Sequence, residues 1–373
     1  MKAVVFDGPR AVSIQDRPLP KLQNETDIIV KVQTTALCGS ELHVYRGHQP
    51  SGTGFIMGHE FTGVVFELGS GVKMVQVGDK VVCPFTVSWY VVAISHPHPA
   101  GKKTQNGKKL TTAMSSCTVP ARLLFGSAAL DGGQAEYVRV PHADGTVMKA
   151  PPNMDDNALV LMADIWPTGF FGAKNAFRLL PDMEASEATV IVIGCGPVGL
   201  CAVISALEYK PKHLFAVDSV PSRLEIARSL GAEPLNFQDG KESMLHRIKA
   251  ATAGRGADAA VEVVGLSPAL ETAFDLIRPF GVISSIGVHN SEHYVVVRYR
   301  GLEAKHTATP RKNITVQMGR CPVRSIFPEA LKLLESKQHL LSFMFDKIMP
   351  LSDAVEGYDL FDKMQVQKVI FKP

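Results

Sequence analysis

The stretch ATVIVIGCGPVG, residues 188–199, decides the fold. It opens with Thr189-Val190-Ile191-Val192-Ile193, an unbroken β-branched and apolar run. A run that short and that apolar predicts a strand buried on both faces of a parallel sheet. It then breaks at Gly194-Cys195-Gly196-Pro197-Val198-Gly199, which has the spacing G-x-G-x-x-G, and residues 200–208 read as a helix. A second apolar strand, 213–217, ends in Asp218, 19 residues after Gly199. Each position has a physical job. Gly194 allows the tight turn, Gly196 lets the backbone approach a pyrophosphate, and Gly199 lets the helix pack closely on the strand. The helix N-terminus offers free N–H groups and partial positive charge to the phosphates, so Pro197 and Val198 are counted with the cofactor-binding residues. Asp218 can accept hydrogen bonds from both ribose hydroxyls, and its charge repels a 2′-phosphate. NAD is therefore expected over NADP, although Arg223 is near enough in sequence to hold such a phosphate.

Working outward, the 373 residues suit two domains. The chain is 46% hydrophobic and 20% charged, ordinary for a globular protein. A net charge of +3 gives no electrostatic case for nucleic acid or a membrane surface. The opening MKAVVFDG reads as a strand without a signal-peptide plan. No apolar run approaches the roughly 20 residues that span a bilayer. A cytoplasmic location is expected. Six cysteines, at 38, 83, 117, 195, 201 and 321, are too scattered for a disulfide framework and read as core residues or metal ligands.

Before the glycine turn, residues 3–6, 27–34, 61–68 and 80–83 read as strands separated by Gly-rich turns. This is a β-rich domain. After Asp218 the pattern alternates. Helices are expected over 221–230, ending at Gly231, over 242–253, and over 267–277, stopped by Pro279 and Gly281; strands are expected over 257–264 and 282–288. That alternation specifies a doubly wound parallel sheet, a Rossmann fold of α/β class. The nicotinamide should lie at the carboxyl ends of its strands, beside Val264 and 286–288. The tail reads as a helix over 328–336, a strand over 346–351, a helix over 352–364 capped by Ser352, and a strand over 366–371.

Two clusters in the β-rich domain carry chemistry. They are Cys38-Gly39-Ser40-Glu41-Leu42-His43 and Gly58-His59-Glu60-Phe61-Thr62-Gly63. A thiolate, an imidazole and carboxylates are ligand types that zinc prefers, and a catalytic zinc takes three of them with one position open. Taken singly, Cys38 reads more often as a buried small hydrophobe and His59 as a satisfied core histidine.

The wider pattern is specific. Gly58-His59-Glu60 followed by Gly63, Gly69 and Val72, with Cys-Gly-Ser-x-x-His ahead and the dinucleotide turn behind, resembles the zinc-dependent medium-chain alcohol dehydrogenases. The 161–173 stretch LMADIWPTGFFGA, with 131–137 and 319–324, resembles their glutathione-independent formaldehyde dehydrogenase and dismutase branch. The resemblance implies a GroES-like catalytic domain built from 1–165 and 317–373 around an NAD-binding domain at 166–316. It implies Cys38, His59 and Asp164 as the ligands of one catalytic zinc, with Glu60 adjacent as transient ligand or supporting carboxylate. Ser40 and His43 match the family's proton-relay positions, and Thr168 is expected at the cofactor. The chemistry agrees, because zinc lowers the pKa of an alcohol it holds, and a histidine titrating near about 6.5 is a suitable final proton carrier.

The chain departs from the family in two places. After Cys83-Pro84-Phe85-Thr86 the four-cysteine run of a structural zinc is missing. A Lys-rich stretch follows and reaches only Cys117, with His96 and His98 nearby, so no structural zinc is expected. The loss of resemblance at Val87 and its return near Cys117 read as a translated intervening sequence or a mispredicted splice. The second departure, 294–310, falls where strands of relatives pair between subunits.

The expectation is therefore a zinc- and NAD-dependent oxidoreductase acting on a small alcohol or aldehyde, assembled as a dimer or tetramer, with no nucleic-acid or membrane partner. Two alternatives share the fold: an aldehyde dismutase with tightly held NAD, and an impaired NAD-binding scaffold disabled by its altered lobe. A zinc-free quinone reductase has no use for the Cys38–His59–Asp164 set. Trp166, Phe170 and Phe55 are candidate pocket walls.

Overall fold

The computed structural model of the chain describes residues 1–88, 123–152, 154–180, 183–289 and 312–373. In chain order the strands are β1 (Lys2–Gly8), β2 (Ala11–Asp16), β3 (Ile28–Leu37), β4 (Glu60–Leu68), β5 (Lys80–Cys83), β6 (Tyr137–Val140), β7 (Met148–Lys149), β8 (Thr189–Ile193), β9 (His213–Asp218), β10 (Glu233–Asn236), β11 (Ala257–Glu262), β12 (Ile277–Ser285), β13 (Thr315–Met318), β14 (Ile348–Pro350) and β15 (Val369–Lys372). The helices are α1 (Glu41–Tyr45), α2 (Ala143–Thr146), α3 (Asp156–Val160), α4 (Ile165–Arg178), α5 (Pro197–Leu207), α6 (Pro221–Leu230), α7 (Lys241–Ala251), α8 (Ser267–Leu276), α9 (Val323–Lys337) and α10 (Ala354–Asp362).

The 188–199 stretch folds as its residues dictate. β8 is buried at every position. Each Val or Ile so buried contributes about 1.5–3 kcal/mol. β8 lies inside a parallel sheet of order β10-β9-β8-β11-β12-β13. Counted within the sheet alone, that order is 3-2-1-4-5-6, the doubly wound Rossmann arrangement. The direction of winding reverses between β8 and β11, so the crevice lies beyond their carboxyl ends. α5 opens at Pro197, three residues earlier than the sequence pattern implied, because proline fits a first helical turn.

The second sheet has the order β14-β15-β3-β4-β5-β7, with β6 also on β3. β15 is antiparallel to β3, so the tail completes the N-terminal lobe. This pairing places the chemistry. β3 ends one residue before Cys38, β4 begins one residue after His59, and β15 begins one residue after Lys368. Leu37 pairs with Val369 and Ala36 with Glu60, so three strand ends meet at one edge.

Several expected boundaries move. The strand expected over 282–288 begins at Ile277, directly after α8, and Pro279 and Gly281 lie inside it. The register jumps from Ala257↔Ile277 to Ala259↔Val282, and Phe280 has φ +59°, so these residues mark a bulge and do not stop the helix. Ser352 does not cap α10. It lies in a 3₁₀ turn, Leu351–Asp353, and its hydroxyl donates to Asp353 Oδ1 at 2.9 Å. α9 begins at Val323 and carries Pro328 in its interior. Among the described residues, no helix is long and apolar enough to cross a membrane. The expectations for His96, His98 and Cys117, and for 294–310, lie outside the described residues.

Candidate active site

Cys38, His59, Glu60 and Asp164 converge. Their Sγ, imidazole nitrogen and carboxylate oxygens all lie within 4.8 Å of one another, and all four residues are buried. His59 Nε2 is 3.3 Å from Asp164 Oδ2, and the Cys38 thiol donates to the same oxygen at 3.5 Å. Asp164 comes from a separate part of the chain, the junction between a 3₁₀ turn and α4. Ser40 Oγ lies 3.2 Å from His59 Nε2 and donates to Cys38 Sγ at 3.4 Å. His43 is on α1 one turn beyond Ser40, and its backbone N–H donates to the Ser40 carbonyl at 3.2 Å.

Residues without an expected role support this cluster. The Glu41 carboxylate accepts from the Cys38 N–H at 2.8 Å, and its Oε1 is 3.7 Å from His59 Nδ1. Gln134 Nε2 donates to Glu41 at 3.4 Å, and the buried Tyr358 hydroxyl donates to Gln134 Oε1 at 2.9 Å. The Lys368 ammonium, fully buried, ion-pairs with Glu60 Oε2. Glu41 follows Cys38 by three residues and was visible in its motif; Lys368, 308 residues from Glu60, gave no sequence signal.

The electrostatics follow from burial and crowding. Burial first, then the Glu60 and Asp164 charges, raise the Cys38 pKa. Burial likewise raises those of Glu60 and Glu41. For His59 burial works downward, but the Glu41 carboxylate and Cys38 hold it well above its ordinary value. Asp164 is lowered despite burial, through His59 and the Thr168 hydroxyl. His43 is lowered by burial and by the neighbouring His48 and Arg46, which favours its neutral form.

The donor set fits a zinc ion. It offers one thiolate, one imidazole and carboxylate oxygens in a buried cluster, and Glu60 Oε1 is buried with no hydrogen-bond partner among the described residues. An ion there would also replace the protons these donors hold without it.

The glycine turn fits a dinucleotide. Gly194 has φ +98°, which a side chain resists. A Cβ on Gly199 would stand 1.8 Å from the Gly194 carbonyl oxygen. A Cβ on Gly196, the residue before α5, would meet only Arg223 Nη1, at 3.9 Å, so this face is open to a phosphate. Asp218, the residue expected at the ribose, is held by backbone donors. Its Oδ2 accepts from the Cys195 N–H at 2.7 Å, and its Oδ1 from Ser219 and Val220. Arg223 Nη1 lies 3.9 Å from Oδ2. Across the crevice, Glu262 Oε1 accepts the N–H groups of Val264 and Gly265, both at 2.7 Å, and so fixes the turn carrying Val264. Gln367, beside Lys368, donates to the Cys195 carbonyl at 3.0 Å and joins the two lobes.

Thr168 is near the cluster, and its hydroxyl donates to Asp164 Oδ1 at 2.8 Å. The three aromatic candidates are packing residues. Trp166 is fully buried, and its indole N–H donates to the Ala330 carbonyl at 2.8 Å. Phe170 belongs to the same core, and Phe55 packs against Phe6.

Residues 24–152 match the alcohol dehydrogenase GroES-like domain family, and 197–336 the zinc-binding dehydrogenase family. A zinc-type alcohol dehydrogenase B from Aspergillus flavus is 57% identical over 372 residues, covering 100% of this chain and 81% of that protein. This chain belongs to the zinc-type alcohol dehydrogenase family. The alcohol dehydrogenase TADH from Thermus sp. ATN1 superposes with a TM-score of 0.82 at 30% identity, over 100% of this chain and 99% of that one. A glutathione-independent formaldehyde dehydrogenase from Pseudomonas aeruginosa is 30% identical over 411 residues, covering 100% of this chain and 97% of that protein. The likeness to that branch is thus present at a distance.

Proposed function

We propose that the protein is an oxidoreductase that moves a hydride between a small alcohol or aldehyde and NAD, with one zinc ion held by Cys38, His59 and Asp164. The observation that carries this reading is the convergence of four buried donor atoms within 4.8 Å. Zinc in such a site polarises the substrate oxygen, and the nicotinamide supplies the hydride chemistry. The chain's own residues do the rest. The Ser40 hydroxyl stands against the cluster and takes the alcohol proton at Oγ. His43, whose neutral form is favoured by burial and by the neighbouring His48 and Arg46, receives that proton and passes it to solvent. Glu60 stays beside the ion as a reserve carboxylate held by Lys368. Gly194, Gly196, Pro197, Val198 and Gly199 take the pyrophosphate, Asp218 and Arg223 the adenosine ribose, and Thr168 and Val264 flank the nicotinamide end. Asp218's charge favours NAD over NADP.

The division into 1–165 with 317–373 and 166–316 belongs to the same proposal. So do the cytoplasmic location, the absence of a structural zinc, and the dimer or tetramer. The exposed edge strand β13 supports assembly.

The test is NADH formation at neutral pH with a panel of primary and secondary alcohols, and the reverse assay with aldehydes. Wild type should turn over at least one class, while Cys38→Ser should be inactive yet still bind NADH. Equal activity of wild type and Cys38→Ser would overturn the reading.

A further inference from the structure

We propose that Thr168 is a positioning residue for the metal: its hydroxyl holds Asp164 as a one-oxygen ligand and thereby keeps one coordination position free for substrate. This inference rests on the metal reading above and adds to it what governs the open position.

The argument starts from ligand chemistry. A thiolate and an imidazole each present one donor to an ion. A carboxylate presents two oxygens and can bind through one or both. Of Cys38, His59 and Asp164, only Asp164 can fill two positions, and a catalytic zinc needs three protein donors and a vacancy. The structure separates the two oxygens of Asp164. Oδ2 faces the cluster, 3.3 Å from His59 Nε2 and 3.5 Å from Cys38 Sγ. Oδ1 accepts the Thr168 hydroxyl at 2.8 Å.

The geometry is held from both ends. Thr168 lies four residues after Asp164 on the first turn of α4, and its backbone N–H donates to the Asp164 carbonyl at 2.9 Å. Thr168 is itself only 8% exposed, so water has little access to replace its hydroxyl. The carboxylate therefore cannot rotate without breaking a largely shielded hydrogen bond. Without the hydroxyl, Oδ1 would lose this donor, and turning onto a bound ion would replace it. The vacancy then closes. Glu60 is restrained by the same device, since Lys368 engages its Oε2. Both carboxylates near the ion thus have one oxygen occupied by a protein donor.

The experiment uses the full-length protein with cobalt in place of zinc. The visible band of bound cobalt shifts when an added anion such as azide enters an open coordination position. Thr168→Val is expected to bind cobalt with wild-type stoichiometry but with a band that azide no longer shifts, and to lose roughly 10–100-fold in kcat/KM for alcohol on the zinc form. Thr168→Ser, which keeps the hydroxyl, is expected to keep the wild-type azide response. A wild-type azide response in Thr168→Val overturns the inference. So does a lost azide response in Thr168→Ser, because packing rather than the hydroxyl is then responsible. Should Thr168→Val fail to fold, Thr168→Ala is read against Thr168→Ser in the same way. Wild type that takes up no cobalt overturns the metal reading itself, and the inference with it.

Discussion

At the scale of single residues, buried carboxylates orient the donor atoms of the cluster. His59 shows this most clearly. Its Nε2 faces the other donors, while its Nδ1 faces Glu41, and Glu41 also accepts the Cys38 N–H. One carboxylate therefore orients two of the three expected ligands, in the way outer carboxylates orient metal-binding histidines. Replacing Glu41 by Gln keeps the shape and removes the charge. Zinc affinity should fall about 10–100-fold, read by chelator competition, with thermal stability of the zinc-free protein little changed. Unaltered zinc affinity in Glu41→Gln would show that His59 needs no such support. Cys38, His59 and Asp164 were legible because their motifs are local and specific. Thr168's bond to Asp164 was not, although the two are four residues apart. A threonine in an apolar helix start reads equally as a cofactor contact or a packing residue, and only its direction in space decides. Lys368 was less legible still, since its partner Glu60 is distant in sequence and the two meet through strand pairing.

At the scale of elements, the strand–turn–helix of 189–207 carries the most sequence information. Its reading held because every local preference agrees with the global fold. β8 is β-branched and buried at every position, Gly194 adopts a positive φ, and α5 opens with proline. Gly199 is the strictest of these. A methyl group there would stand 1.8 Å from the Gly194 carbonyl oxygen, so the turn must open. Gly199→Ala is expected to cost about 1–3 kcal/mol of stability, by analogy with overpacking a core, and to abolish NADH binding in a fluorescence titration. NADH affinity like that of wild type would mean that the cofactor does not use this turn. The misplaced boundaries have a shared cause. Pro279 with Gly281, and Ser352, carry strong local signals for helix stops and caps. Tertiary context reassigned them to a bulge paired with β11 and to a 3₁₀ turn.

At the scale of the whole molecule, the candidate site forms where strand β15 joins the N-terminal sheet. β15 enters the N-terminal sheet beside β3, and this brings Lys368 to Glu60 and Gln367 to the Cys195 carbonyl. A single dipeptide therefore touches the metal-side carboxylate and the dinucleotide turn. The two sheets contribute different things. The seven-stranded sheet gathers Cys38, His59 and Glu60 at one edge, and the glycine turn of the Rossmann sheet is joined to that sheet through Gln367 and the Cys195 carbonyl. Composition and element alternation were enough to forecast two sheets of these kinds. Which strand ends meet was not forecast, since strand register depends on pairings that no local pattern specifies. The central claim is that the ends of β3 and β4, with Asp164 from the start of α4, build one zinc site from Cys38, His59 and Asp164. The most direct measurement is metal content by elemental analysis of exhaustively desalted protein, for wild type and for Asp164→Ala. The account predicts about one zinc per chain in wild type and a large loss in Asp164→Ala, with NADH binding retained in both. Folded, NADH-binding wild type without zinc, or full zinc content in Asp164→Ala, would contradict it.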